Sequence, residues 1–241
     1  MADLHTHTLV SNHAYNTITE MITKAKELGL AAMAVTDHAP ALPDSAHPWY
    51  FYNLTRLPPV IDGVVLLRGV EMNVLDTKGT LDFTQEELKG YNFDWIVASI
   101  HHDAYGHIPT KAEATESWMN IAQNPYVDII GHSEQYPCCF DTVVKEMMRN
   151  NKLIEINANS ALVRPGKEEN MRCLIRACVD NNAYIAVNSD AHSIYNLAQS
   201  STVAGMLNEV SYPQELIVNT DRKRFINMLQ SHNKTAVNYL L

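Results

Sequence analysis

The sequence predicts an α/β fold in which a parallel sheet closes into a (β/α) barrel covered by helices. Short apolar runs alternate with segments of helical periodicity along the chain, and this alternation is typical of parallel strands connected by helices. The length of 241 residues is close to the ~250 residues of a typical barrel. An open, doubly wound sheet is the alternative. Polar residues follow nearly every predicted strand and favour the barrel, because barrel strand ends converge on one face.

The first part of the chain contains three predicted strands, over residues 2–4, 31–35 and 64–67. For the third strand, residue 70 is an alternative C-terminal boundary. Between the first two, Thr17 and Glu20 have the spacing of a capping box. Apolar residues then repeat at helical spacing until Gly29, which predicts the end of that helix. Residues 39–62 contain five prolines, and we expect an irregular active-site loop there.

The second part continues the alternation. Strands are predicted over residues 95–100, 127–130, 153–156 and 184–187, and helices over 113–123, 142–150 and 168–181. The seven predicted strands become eight if the further apolar run at 216–218 is also a strand; it precedes a last helix that begins near Asp221. Because no change in composition divides the chain, residues 1–241 are expected to form one domain.

The composition is that of a globular protein, with 46% hydrophobic residues and a net charge of −9. It excludes disorder and contains no apolar run long enough to span a membrane. The negative charge argues against nucleic acid and anionic membranes as partners. The N-terminus lacks the features of a secretory signal, and the four cysteines lack the CxxC spacing of a zinc or redox site. We therefore expect reduced thiols and a cytoplasmic protein.

The distribution of the eleven histidines is the most informative feature of the sequence. His5 and His7 are two residues apart, so on an extended chain both rings face the same side and can bind one ion. Asp3 is expected to orient them. Zinc and manganese accept imidazole and carboxylate ligands. The residues of this type near predicted strand ends are His5, His7, His13, His38, Glu71, His101, His132, Asp190 and His192. A hydrogen-bonded histidine cluster without metal is the alternative.

Six short motifs, taken together and in order, resemble the PHP superfamily, named for polymerase and histidinol phosphatase. They are DLHTHT (3–8), TDH (36–38), GVE (69–71), IH (100–101), GH (131–132) and SDAH (189–192). The segment around His13 and the proline-rich loop before Arg68 resemble the small stand-alone phosphatases of that superfamily. The resemblance runs from residue 3 to residue 192 and implies a distorted (β/α)7 barrel with three divalent ions, zinc first, with manganese or iron as alternatives.

The resemblance also implies how the ligands are grouped. His5, His7, Glu71 and Asp190 would hold one ion, and Glu71, His101 and His132 a second, with Glu71 bridging the two. His13, His38 and His192 would hold the third. His102 follows His101 directly, and only one of them can face inward; the motif assigns His101.

The predicted reaction is hydrolysis of a small phosphomonoester by a hydroxide that several metal ions activate. Glu71, Asp190 and His192 are the predicted catalytic residues, and Arg164 and Lys167 are predicted to bind the substrate phosphate. Within the same centre, histidinol-phosphate phosphatase and phosphodiesterase activities are alternatives. A non-catalytic regulatory domain is a third alternative. The sequence does not decide whether the protein is a monomer or a homo-oligomer.

Overall fold

The computed structural model describes residues 1–163 and 167–241, and a parallel sheet forms its centre. The strands in chain order are β1 (Ala2–Asp3), β2 (Ala32–Val35), β3 (Val60–Ile61), β4 (Val64–Asn73), β5 (Trp95–Ser99), β6 (Ile129–Ile130), β7 (Leu153–Asn157) and β8 (Ile185–Asn188). The sheet order is β1-β2-β4-β5-β6-β7-β8, with all neighbours on this path parallel. Only β3 is antiparallel, and it pairs with β4.

The two ends of this sheet meet and nearly close a barrel. Thr6, just after β1, forms a parallel bridge with Ala191, just after β8, and the His7 N–H donates to the Ala191 carbonyl at 2.8 Å. Below this bridge, the Asn219 side chain donates to the carbonyls of Ala2 and Val187 at 2.9 and 2.7 Å. These contacts join β1 to β8, so the barrel prediction is confirmed and the open sheet is wrong.

Helices cover the outside of the barrel. In the described residues they are α1 (Ile18–Glu27), α2 (Pro48–Asn53), α3 (Gln85–Tyr91), α4 (His102–Tyr105), α5 (Lys111–Ala122), α6 (Phe140–Arg149), α7 (Ala158–Val163), α8 (Glu168–Asp180), α9 (Ser201–Glu209) and α10 (Arg222–Ser231). The predicted capping box of α1 is present, with both the Thr17 and the Glu20 bonds formed. Gly29 follows with a φ of +71°, a backbone conformation that glycine adopts without strain. No helix in the described ranges has the length and apolar character needed to cross a membrane.

The core leaves one end of the barrel for polar residues. At the N-terminal ends of the strands, Leu67 and Trp95 pack in one buried cluster with Phe225 and Leu229 of α10 and with Leu240. The C-terminal helix and the residues after it therefore cover that end. The carboxyl ends of the strands are left for the polar side chains that follow them.

Three sequence expectations are corrected by the structure. β4 extends to Asn73, so Glu71 lies inside a strand rather than after it. The first half of β4 pairs with β2 and its second half with β5, and a Cβ at Gly69 would lie 2.6 Å from the Trp95 carbonyl oxygen, so a glycine is needed where the neighbours change.

The other two concern the loop at 39–62 and the apolar run at 216–218. The loop contains α2, a 3₁₀ turn and β3, and Phe51 is fully buried in the core. The run at 216–218 forms one bridge, between Ile217 and Ile185, instead of a strand. Its first residue, Leu216, ends a 3₁₀ turn, Gln214–Leu216, and so does not have the extended backbone of a strand.

Candidate metal centre

All nine predicted ligand residues lie at the carboxyl end of the barrel. His5, His7 and His13 come from the segment after β1, and His38 follows β2. Glu71 lies on β4, His101 follows β5 and His132 follows β6, while Asp190 and His192 both follow β8. Parallel strands bring these residues together because their carboxyl ends lie at one rim. Most of the set is buried, but the His13 side chain is 57% exposed.

The first predicted group surrounds two carboxylates. The His5 Nε2 atom lies 3.3 Å from Glu71 Oε1 and 3.7 Å from Asp190 Oδ1. The His7 Nε2 atom lies 3.1 Å from Asp190 Oδ1 and 3.6 Å from Glu71 Oε2. Two ligand atoms that share one tetrahedral zinc ion are about 3.4 Å apart, since each lies ~2.1 Å from the metal. The four side chains therefore have the separations of a ligand set.

The second group shares Glu71 with the first. The Nε2 atoms of His132 and His101 lie 3.0 and 3.6 Å from Glu71 Oε1. His101 points into the centre, whereas His102 begins α4 and its side chain is 53% exposed. The structure thus brings His101, and not His102, to the other ligands.

The third predicted group is more spread out. The His38 Nε2 atom lies 3.1 Å from Glu71 Oε2, and ligand atoms of His38 and His192 also group with His7. The His13 ring stacks on His192 with 4.4 Å between ring centroids, and its ligand atom groups with those of His38 and Asp44. The side of the centre formed by His13 faces solvent, and Asp44 lies on that side.

On several of these histidines, the Nδ1 atom, which faces away from the centre, lies within hydrogen-bond distance of an acceptor. The Nδ1 atom of His5 lies 2.8 Å from Glu155 Oε1, that of His101 lies 2.8 Å from Asn73 Oδ1, and that of His192 lies 2.9 Å from the Asp190 carbonyl. An acceptor at Nδ1 fixes the tautomer with a free lone pair at Nε2. These rings therefore present Nε2 to the centre as a metal ligand requires.

Several inward atoms lie close to other candidate ligand atoms but make no hydrogen bond of favourable geometry. Within the described residues, the Nε2 atoms of His5, His7 and His192 and the Oε2 atom of Glu71 are buried without a hydrogen bond. A buried polar atom left unpaired costs about 1–3 kcal/mol. The convergence of such atoms from imidazoles and a carboxylate fits divalent ions of the zinc type.

The charges of the centre suit a cation. Burial opposes ionisation of Glu71 and Asp190, but the surrounding histidines outweigh it and hold the pKa of both carboxyls well below their usual range. Burial lowers the pKa of His7, and repulsion from His192 and His38 lowers it further. Ionised carboxylates and a neutral imidazole are the protonation states that bind a divalent ion.

Two ligand residues have left-handed backbone conformations. The φ angle of His132 is +27° and that of Asp190 is +51°. A residue other than glycine in this region costs roughly 1–3 kcal/mol, and such strain is concentrated at functional sites. The His132 backbone is held by its N–H, which donates to Glu155 Oε2 at 2.8 Å.

Glu155 and Asp44 were not predicted from the sequence, and Asp3 does not have the role of orienting His5 and His7 that was predicted for it. Asp3 accepts hydrogen bonds from Ser189 and Ala198 and so joins the barrel ends, while the Nδ1 atom of His5 is bound by Glu155 instead. Glu155 performs the orienting role. Its signal was available, because it is a charged residue within an otherwise apolar predicted strand.

A cavity of about 690 Å³ opens over the centre, within the range of small-molecule sites. His102, Asp103, Gln135, Asn159 and Asn196 line it beside the candidate ligands. Of the two predicted phosphate-binding residues, Arg164 lies outside the described residues. The Lys167 ammonium lies over the Tyr136 ring, 5.7 Å from its centroid, and the Tyr136 hydroxyl lies 3.3 Å from His102 Nδ1.

Comparison with known proteins agrees with this architecture. The family profile described as PHP domain matches residues 3–190. The chain belongs to the PHP family. This PHP protein is 38% identical over 235 residues to a protein of Clostridium novyi named "Probable phosphatase", an alignment that covers 96% of this chain and 95% of the relative.

Two solved structures share the PHP barrel fold. Histidinol phosphate phosphatase of Lactococcus lactis, complexed with zinc, L-histidinol and phosphate, has a TM-score of 0.58 at 16% identity and covers 88% of this chain and 94% of its own. The putative histidinol phosphatase of Listeria monocytogenes has a TM-score of 0.60 at 15% identity and covers 84% and 99%. At these identities the likeness concerns the fold alone.

Proposed function

We propose that this PHP protein is a metal-dependent phosphatase that hydrolyses phosphomonoesters of small molecules. The observation that carries the proposal is the convergence of imidazole Nε2 atoms on Glu71 and Asp190 at 3.0–3.7 Å. The relative from Clostridium novyi named "Probable phosphatase" supports it along nearly the whole chain. The ligands are proposed to be His5, His7, His13, His38, Glu71, His101, His132, Asp190 and His192.

Divalent ions at these ligands would stabilise charge on the phosphoryl oxygens and lower the pKa of water from ~15.7 toward ~7. Glu71 has two oxygens that face histidines of different groups, Oε1 toward His132 and Oε2 toward His7, so it is proposed to bridge the first two ions. Asp190 and His192 are proposed to complete the ligand sets on the β8 side. All three would act on the reacting atoms only through the ions that they hold.

The charge balance favours an anionic substrate despite the net charge of −9. Three divalent ions would bring six positive charges. The four carboxylates Glu71, Asp190, Glu155 and Asp44 in or against the centre would return about four negative charges, which leaves a surplus of about two. A phosphate monoester dianion matches that surplus. Lys167 and Arg164 are proposed to bind the substrate phosphate.

Zinc is the first ion to test, because the Lactococcus lactis structure of this fold was solved with zinc and because imidazole and carboxylate are zinc ligands. Manganese and iron accept the same donors. A cytoplasmic location is proposed from the free cysteines, which suit a reducing compartment.

Metal content and hydrolysis of p-nitrophenyl phosphate, measured with and without added zinc or manganese, test the proposal. We expect two to three ions per chain and release of p-nitrophenol that chelator abolishes and metal restores. Asp190→Ala should lose metal and turnover while the far-ultraviolet circular dichroism is retained. Asp180→Ala, on the exposed end of α8, is the matched control and should keep both.

Full turnover in Asp190→Ala would refute the site assignment. Bound metal without turnover on any monoester, but with cleavage of bis-p-nitrophenyl phosphate, would replace the monoesterase by a phosphodiesterase. Bound metal with neither activity would favour a non-catalytic domain. If monoesterase activity is found, histidinol phosphate belongs in the substrate panel because both structural neighbours are named for its hydrolysis.

A further inference from the structure

Asp44 links two candidate ligands that come from different segments of the chain. Its Oδ2 atom lies 2.7 Å from His13 Nδ1 and 3.0 Å from His38 Nδ1. One carboxylate oxygen therefore accepts from both rings. The Asp44 side chain is 22% exposed, between the buried His38 and the exposed His13, so this link lies on the solvent side of the centre.

The two short distances are those of hydrogen bonds. Atoms that share a zinc ion are about 3.4 Å apart, since each lies ~2.1 Å from the metal, and 2.7 Å is too short for that arrangement. The Nδ1 atoms thus carry the protons that Asp44 accepts. With an ion bound, the lone pairs would lie at Nε2, and for His38 this atom lies 3.1 Å from Glu71 Oε2.

We propose that Asp44 is a positioning residue that fixes the tautomer and ring orientation of His13 and His38 and thereby sets the affinity for the outermost ion. The proposal rests on the proposed metal-dependent function. Within residues 1–163 and 167–241, the structure gives the His13 side chain no other hydrogen-bond partner. Without Asp44, only ring contacts such as the stacking on His192 would hold this half-exposed imidazole, and more rotamer entropy would be lost on binding an ion.

The loop around Asp44 is held independently of its carboxylate. The Asn12 N–H donates to the Asp44 carbonyl at 3.0 Å, and the Ser45 hydroxyl donates to the His38 carbonyl at 2.5 Å. These bonds already join the loop to the segments that bear His13 and His38. Removal of the carboxylate should therefore release the two rings while the backbone stays in place.

The effect should be confined to one ion. The His5 and His7 side chains are fully buried and contact Glu155, Glu71 and Asp190 rather than Asp44, so the inner sites should keep their affinity. Loss of such a supporting hydrogen bond typically weakens metal binding 10–100-fold. Asp44→Ala should raise the dissociation constant of the weakest-bound ion by about that factor. Asp44→Asn keeps one acceptor oxygen and should have a smaller effect.

The test compares the zinc-loaded wild type with Asp44→Ala, Asp44→Asn and Asp103→Asn. Asp103→Asn is the matched control. It removes one negative charge at the same cavity, but Asp103 pairs with His102 rather than with a candidate ligand. Each protein is equilibrated at buffered free zinc, its ions per chain are counted by elemental analysis, and its dissociation constants are measured against a fluorescent zinc indicator. The zinc concentration for half-maximal turnover and kcat at saturating zinc are then recorded.

We expect Asp44→Ala to lose one ion per chain at a free zinc concentration at which the wild type and Asp103→Asn keep it. Half-maximal turnover should need 10–100-fold more zinc, and kcat at saturating zinc should return toward the wild-type value. A purely structural role would lower kcat at every zinc concentration.

Unchanged affinity in Asp44→Ala would overturn the inference and leave the proposed phosphatase intact. An equal shift in Asp103→Asn would also overturn it, because charge at the mouth would then explain the effect. If Asp44→Ala unfolds, Asp44→Asn decides, and an affinity equal to that of the wild type overturns the inference. A wild type that binds no zinc refutes the proposed function itself, and this inference with it.

Discussion

Glu155 offers a sharp test of how the barrel interior supports the centre. Its Oε1 atom accepts from His5 Nδ1 at 2.8 Å and Asn188 Nδ2 at 2.9 Å. Its Oε2 atom accepts from the His132 N–H at 2.8 Å and Asn157 Nδ2 at 2.9 Å. Each oxygen thus faces two donors. In Glu155→Gln, whichever way the amide is turned, its NH₂ group replaces one of these acceptors.

The cost follows from this arrangement. The substitution breaks two hydrogen bonds to a charged group, each of which contributes about 1.5–3 kcal/mol. The sum is about 3–6 kcal/mol, and the lower part of that range is expected because the buried charge and its desolvation cost are also removed. Domains are typically stable by about 5–15 kcal/mol, so the variant should still fold but with much of its stability lost.

Urea unfolding in the presence of chelator measures this free energy without a contribution from bound metal. Glu116→Gln, the same change at an exposed position of α5, is the control and should lie within about 0.5 kcal/mol of the wild type. A Glu155→Gln variant less than about 1 kcal/mol below the wild type would refute the four-donor account.

Three further predictions concern the rest of the molecule. The Gly131→Ala variant should lose about 1–3 kcal/mol of unfolding free energy, measured in urea. The added Cβ would collide with Ser99 Oγ and lie 2.8 Å from Val97 Cγ1. An unchanged urea midpoint would contradict this packing. A thiol reagent should modify the exposed Cys139 and Cys173 in the native protein and reach Cys138 and Cys178 only after unfolding. The latter two are buried, and burial raises the pKa of Cys138 to about 12. Rapid modification of all four thiols in the native protein would contradict this prediction. Chelation should remove about 2.7 kcal/mol of stability for each ion whose free concentration is 100 times its dissociation constant, and this lowers Tm by about 5–10 °C per ion. An unchanged melting curve would argue against bound metal.

Local sequence patterns predicted most of the fold. The capping box at Thr17 and Glu20 and the glycine at 29 are interactions within a few residues, so their spacing suffices to identify them. The prediction was wrong where neighbours in the sheet decide the outcome. β4 continues to Asn73 because β5 pairs with its second half, and the run at 216–218 stays out of the sheet except for one bridge.

The candidate ligands could also be predicted, because each lies near the carboxyl end of an apolar strand or in the segment after it and the strand order is simple. The charged Glu155 within an apolar strand could have been singled out, but the roles of Glu155 and Asp44 could not be predicted, because they depend on partners far along the chain. Glu155 meets His5 across 150 residues, and Asp44 meets His13 across 31. Asp3 was assigned wrongly for the same reason, since its partner Ser189 lies 186 residues away.

By itself, the sequence determined the barrel class, the order of the strands and the set of side chains at their carboxyl ends, because periodicity, caps and motif order are properties of a local chain. Only the tertiary structure decided which nitrogen of each histidine faces the centre and which carboxylate holds it there. A hydrogen bond fixes a tautomer only when donor and acceptor lie within about 3 Å, and for these residues that proximity exists only after the barrel has closed.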